Sequence, residues 1–329
     1  MKVGAVTDAV VLFALCVAAG ESAVEPLAPR EWSGLAERMA AAGMAAPAEL
    51  AREGAIERLR AAGEREALLA RLERLCARIE AARREAVRLA RRGVALLAVT
   101  DRRYPTRLRA RLERSAPPLL FARGDLALLD RPALAVVGSR AIDGIAAAFA
   151  RAVGERCAGA GWSVVSGAAR GSDYAAMAGA LAAGGAAIAV VPGPLAEPLR
   201  HHEFRRAFDA GRLLLLARHA PDAPFEARLA QARNPLIYAL ADYALVVASA
   251  QGHGGTWGPA VATLRRGWPP LFVRAGEGIP AGNRALLALG ARPFPSLAEI
   301  DRRGLGAALA AAAPGRERAP RLPLPLEGS

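Results

Sequence analysis

Residues 133–140 read ALAVVGSR, an unbroken apolar run that ends in Gly138, Ser139 and Arg140. A short continuous apolar stretch bounded by glycine reads as a strand covered on both faces, and the glycine lets the chain turn sharply or approach a ligand closely. The same grammar recurs downstream. Apolar runs at 162–165, 186–191, 213–216, 244–247 and 270–273 are predicted strands, and helix-length amphipathic segments at 145–158 and 173–183 lie between them. Strands alternating with helices predict an α/β fold, a doubly wound Rossmann-like parallel sheet, with ligands at the carboxyl ends of strands near the switch point in strand order.

Working outward, residues 1–92 predict a small all-helical N-terminal domain. Leu68, Leu72, Leu75 and Ile79 step by four, three and four and lay one apolar stripe on a helix. Residues 93–303 then form the Rossmann-like domain. Beyond 304 an alanine run gives way to Pro314-Gly315 and a Pro/Arg-rich end, so 304–329 is expected to be a flexible tail.

The 329 residues are 53% apolar but only 5% aromatic, which excludes a disordered chain and makes Ala, Leu and Val the core-forming residues. The longest apolar run, 9–19, has eleven residues, too few for a bilayer span; the uncharged stretch 174–196 is broken by Gly184-Gly185 and Pro192. No membrane association is expected, and a signal peptide is disfavoured because Asp8 precedes the run. Cys16, Cys76 and Cys157 and the histidines 201, 202, 219 and 253 have neither disulfide nor zinc spacing, so no metal or cofactor is assigned.

Net charge is +13, from 44 basic and 31 acidic residues, a balance that suits a polyanion. Its distribution is uneven. Residues 51–115 alone hold eighteen arginines against nine acids, a pattern that a solvated helix face explains well. With Lys2 the sole lysine, the arginine excess also reflects composition at large.

The loops after the strands are more specific. Ser139 offers a hydroxyl and Arg140 a planar fork of donors suited to phosphate. The second loop, Ser166-Gly167-Ala168-Ala169-Arg170-Gly171-Ser172-Asp173, turns tightly between two glycines into a helix that Ser172 or Asp173 can cap. A third, Gly252-His253-Gly254-Gly255-Thr256-Trp257-Gly258, is a glycine-threonine cradle before a helix, where Trp257 either stacks on a base or packs on the sheet. A nicotinamide site is excluded, since Gly138-Ser139-Arg140 is not G-x-G-x-x-G and no acid ends the second strand; Walker A, G-x-S-x-G and H-E-x-x-H are missing too.

These loops, in this order, together with Phe225 ahead of Arg233-Asn234, resemble the DprA/Smf family of bacterial DNA-processing proteins. The likeness extends from Asp101-Arg102-Arg103-Tyr104-Pro105 through Pro117-Pro118 and Gly124 to Gly290-Ala291, and Pro26-Leu27 with Glu31-Trp32 is similar to the family's helical N-terminal region. The resemblance implies a cytoplasmic, non-enzymatic protein that binds single-stranded DNA and helps load a RecA-type recombinase during natural transformation, with a homodimer as a further expectation. It makes Arg140 and Arg233 phosphate contacts, gives Gly138, Ser139, Ser166, Gly167, Gly171 and Asn234 the shaping of the pocket, and sets Phe225 against a base or sugar. The chain departs from the family pattern at Gly254-Gly255-Thr256-Trp257 and at Pro235 where a basic residue is common, and the family's C-terminal winged helix is not expected in residues 304–329.

Two other classes compete. A small-nucleotide binder or nucleotide-cleaving enzyme of the lysine-decarboxylase-like Rossmann group shares the glycine-threonine loop, but residues 249–275 hold no Asp or Glu to act on a glycosidic bond. A scaffold that docks a partner on the Arg-rich helices is the third.

Overall fold

The structure, a computed structural model, describes residues 7–17 and 24–313. Five helices (Asp8–Cys16, Pro29–Ala41, Ala55–Ala61, Glu66–Cys76 and Ile79–Arg91) precede nine strands. These are β1 (Val94–Ala98), β2 (Leu119–Arg123), β3 (Ala133–Val137), β4 (Ser163–Ser166), β5 (Ala186–Val190), β6 (Leu213–Ala217), β7 (Tyr243–Val246), β8 (Leu271–Val273) and β9 (Arg292–Pro293). Each of the six predicted strands is present to within about a residue at either end. β1, β2 and the two-residue β9 were outside the prediction; β1 is built from Val, Ala and Leu directly after an amphipathic helix, and such a run reads as more helix.

The chain forms two compact units. The first comprises Met1–Pro105, Leu112–Asp130 and Ile188–Arg233. Here β2 pairs antiparallel with both β1 and β6. Two of the three strands that the sequence did not mark, β1 and β2, thus add antiparallel pairs to the expected parallel ones, while the third, β9, is parallel. The helix Asp8–Cys16 is apolar on every side because it is core, with seven consecutive residues from Ala9 to Leu15 buried and Phe13 set edge-on to Phe121 at 5.3 Å. Leu68, Leu72, Leu75 and Ile79 are all buried, but not as a stripe on one helix: the first three lie on Glu66–Cys76, and Ile79 opens the next helix, Ile79–Arg91.

The second unit comprises Thr106–Arg111, Arg131–Ala187 and Asn234–Ser329. Its strands run in the order β4-β3-β7-β8-β9, and the pairs β3–β4, β3–β7, β7–β8 and β8–β9 are all parallel. From β3 the chain moves outward to β4 through the helix Gly144–Gly159; from β7 it moves the opposite way to β8 through Gly254–Arg266. Right-handed crossovers in opposite directions put those helices on opposite faces, which makes the sheet doubly wound, with its switch point between β3 and β7. Small residues let the layers close. A Cβ on Gly154 would lie 2.1 Å from the Ala176 carbonyl oxygen and one on Gly179 2.2 Å from that of Arg151, so the helices Gly144–Gly159 and Ser172–Ala182 touch backbone to backbone.

Two further expectations are corrected. Residues 305–312, read as part of a flexible tail, form the helix Leu305–Ala312 with Leu305, Ala308 and Leu309 buried; residues 314–329 lie outside the described residues. The compact units are also discontinuous in sequence and do not divide at residue 92, because β6 pairs with β2 and so joins the N-terminal helices in the first unit.

Candidate functional site

In the second unit the ends of β3, β4 and β7 converge through backbone contacts that leave no room for side chains. A Cβ on Gly138 would sit 2.3 Å from Ser172 Oγ and 3.1 Å from the Ala248 nitrogen. Ser139 donates its N–H to the Ala248 carbonyl at 2.8 Å and accepts from the Ser172 N–H at 3.2 Å, while its hydroxyl accepts from the Ala141 N–H at 3.3 Å. Gly171, at φ +80°, faces the carbonyl oxygens of Ser139 and Arg140, which would lie 2.4 and 2.6 Å from an added Cβ. The 138–140 and 167–171 loops are therefore one clamp.

Several predicted residues work inside this clamp. The buried Ser166 hydroxyl donates to the Val136 carbonyl at 2.6 Å, tying β4 to β3. Asp173, 6% exposed, accepts the Gly167 N–H at 3.1 Å and so braces the loop from within. Ala168 adopts φ +52°, a left-handed conformation that residues with a Cβ disfavour, so the loop holds strain at the site. Arg140 and Arg170 project from the clamp and are exposed. The helix Gly144–Gly159 has its N-terminus closed by Asp143, whose side chain accepts the Ala146 N–H at 2.6 Å; the helix Ser172–Ala182 has no side-chain cap.

The glycine-threonine loop opens the helix Gly254–Arg266, which also lacks a side-chain cap. Gly254 and Gly255 are exposed, Thr256 and Trp257 half-buried. Asn234 fixes this loop, donating Nδ2 to the Gly255 carbonyl at 3.2 Å. Thirteen of the fifteen predicted site residues thus belong to the second unit. Phe225, 53% exposed, and Arg233, 4% exposed, belong to the first.

Sequence reasoning missed three groups here. Asn283, wholly buried, accepts the Ser249 N–H at 2.8 Å and donates to the Val247 and Arg274 carbonyls at 3.0 and 3.1 Å, fastening the ends of β7 and β8. Its only sequence signal is the preceding Gly282, where a Cβ would meet the Ser249 carbonyl oxygen at 2.2 Å. Arg274 follows β8 and is 7% exposed. Burial pushes the Tyr238 phenol far up, with Asp173 adding to the effect, so it stays a donor.

A cavity of about 140 Å³ lined by Thr263, Leu264, Gly267, Leu271 and Arg292 lies at the C-terminal end of the helix Gly254–Arg266, the edge of the sheet opposite these loops. Arg292 there donates to the Ala312 carbonyl. The convergent loops, with their exposed arginines and uncapped helix starts, are the better candidate for an anionic ligand.

Comparison with known proteins gives the chain a family and a fold. The family described as DNA recombination-mediator protein A matches residues 95–298, well over half the chain. The chain belongs to this family. Among solved structures, DNA processing protein A (DprA) from Streptococcus pneumoniae is similar at a TM-score of 0.63 and 23% identity, over 92% of this chain and 94% of that one. DNA processing protein A from Helicobacter pylori, described for its single-stranded DNA binding mode, is similar at 0.53 and 23% identity, over 64% of this chain and 94% of that one. At these identities the likeness is one of fold. No curated protein matches in sequence. Among the described residues no helix is long and apolar enough to cross a membrane.

Proposed function

We propose that this chain binds single-stranded DNA along the carboxyl edge of β3, β4 and β7, taking most of its affinity from phosphates and little from base identity. The observation that carries the reading is Arg170. Its guanidinium is exposed, makes no hydrogen bond or ion pair among the described residues, and rises from a loop whose backbone is wedged against Arg140. A cation held ready on a strained, close-packed loop is suited to an external anion. The family's description as a recombination mediator is what supports the further step, that the bound strand is handed to a RecA-type recombinase.

Arg140 and Arg170 would contact phosphates, the glycine-threonine loop would offer backbone N–H groups, and Trp257 would face a base or sugar. The chain acts by binding rather than turnover in this reading. The test is anisotropy of a labelled oligo-dT strand beside a panel of nucleoside mono- and triphosphates. Submicromolar binding of the strand at low salt, with weak binding of mononucleotides and no release of base or phosphate, is expected. Tight mononucleotide binding with a weakly held strand would overturn the reading in favour of a nucleotide sensor.

A further inference from the structure

We infer that Arg274 is a further phosphate contact, extending the anion-binding edge across β7 to the end of β8; this rests on the reading that the edge binds a nucleic-acid strand. The backbone N–H of Arg274 donates to the Val246 carbonyl at 2.9 Å, and its Nε donates to the Val247 carbonyl at 3.1 Å, so the guanidinium is held against the carboxyl end of β7. Val247 donates its own N–H to Val137 at 2.9 Å, and the next carbonyl, that of Ala248, accepts the N–H of Ser139. Arg274 and Ser139 therefore grip two successive residues of the same strand end from opposite sides. Two strand spacings, about 10 Å, separate their backbones. Asn283 locks the arrangement by accepting from Ser249 and donating to both Val247 and Arg274.

The charge of Arg274 has no answer among the described residues. Among the described residues no carboxylate lies within ion-pair distance of it, and Nε is its one hydrogen-bonded guanidinium nitrogen. The two terminal nitrogens are not among the buried atoms lacking partners, so they reach solvent although the residue is 7% exposed. A largely covered cation without a countercharge is costly, and a backbone tether through Nε alone does not require a cation. With Nε held, the planar fork presents its outer N–H groups in the geometry that pairs with a phosphate. Nothing in the sequence pattern marks this residue, since it follows a three-residue strand and precedes an unremarkable loop.

The experiment measures oligo-dT affinity from 50 to 300 mM salt for the wild-type chain, Arg274→Met, Arg274→Gln and the control Arg84→Met. Arg84 is exposed on the helix Ile79–Arg91 and carries no ion pair among the described residues. Arg274→Met and Arg274→Gln should each weaken binding about tenfold at the lowest salt and reduce the log–log salt slope by about 0.7, the loss of one single-strand phosphate contact, while Arg84→Met matches wild type. Glutamine keeps a donor for the Val247 carbonyl without charge, so its agreement with methionine assigns the effect to the cation. Wild-type affinity and slope in either neutral variant would overturn the proposal, as would an equal loss in Arg84→Met or a failure of both neutral variants to fold. If the wild-type chain itself does not bind the strand, the functional reading falls rather than the assignment of this residue alone.

Discussion

The arginines of residues 51–115 and those at the carboxyl edge of the second unit carry the same charge to different ends. Of the eighteen in the first group, ten are in ion pairs among the described residues, including Arg60 with Glu66, Arg71 with Glu31, Arg83 with Glu80, Arg88 with Glu85 and Arg92 with Asp222. At the edge, Arg170 and Arg274 have no carboxylate partner among the described residues. The region that dominates the net charge is thus the one whose charge is mostly answered internally. Local countercharge, rather than the sum over a segment, decides where a polyanion is held.

The largest effect should come from the clamp that presents the edge arginines. Gly171→Ala puts a Cβ against two carbonyl oxygens at positive φ and should lower stability by about 2–4 kcal/mol, and oligo-dT binding should be lost with the loop geometry. Gly54→Ala in the N-terminal region has the same sign of φ, +77°, but nothing within 4 Å of the new Cβ; about 1 kcal/mol is expected there, with binding intact. Equal melting temperatures for the two variants would show that the clamp yields and would break the contrast.

Next come the arginines themselves. Arg140→Ala should weaken strand binding by about 1.5–3 kcal/mol while leaving the melting temperature nearly unchanged, and Arg140→Lys should recover part of the loss because charge returns without the fork. Should the strand neutralise about four phosphates, wild-type affinity falls roughly fifty-fold between 50 and 200 mM salt. An Arg140→Ala variant that binds normally but melts early would assign that residue to the fold.

A smaller effect separates stability from binding. His219, in the first unit, is pushed down to about 4 by burial, with Arg218 and Arg228 adding repulsion. Its folded value lies below the unfolded one, so its neutral form favours the fold fully above pH 6.5, and that contribution is lost as pH falls toward 4. Partial solvent screening leaves about 1–2 kcal/mol over that window. Denaturant titrations should show this slope flattened in His219→Leu; an unchanged slope would remove His219 as its source.

The smallest effect belongs to the paired arginines. Arg88→Ala removes a surface pair with Glu85 and should cost under about 1 kcal/mol in stability and less than about threefold in strand affinity. A loss matching that of Arg140→Ala would make the N-terminal helices part of the binding surface.

Much of this protein was legible locally. Short apolar runs ending in Gly or Ser marked β3, β4 and β7, and glycine, serine and arginine at their ends marked the clamp, because strand burial and tight turns constrain residue type within a few positions. Gly138 and Gly171 were readable for that reason, although only the fold shows that Ser172 and the Ser139 and Arg140 carbonyls are what exclude a side chain there.

What the sequence determined by itself is therefore the succession of strands, helices and glycine-bearing loops, and through it the doubly wound arrangement. The tertiary structure alone decided that β1 and β2 run antiparallel, that residues 305–312 are a packed helix, and which arginines have partners. Those outcomes depend on groups far apart in the chain: Arg92 meets Asp222 across 130 residues and Arg156 meets Asp301 across 145. Local patterning carries no record of such pairings, since only chain closure brings one carboxylate to a given guanidinium and leaves another, such as that of Arg274, without one among the described residues.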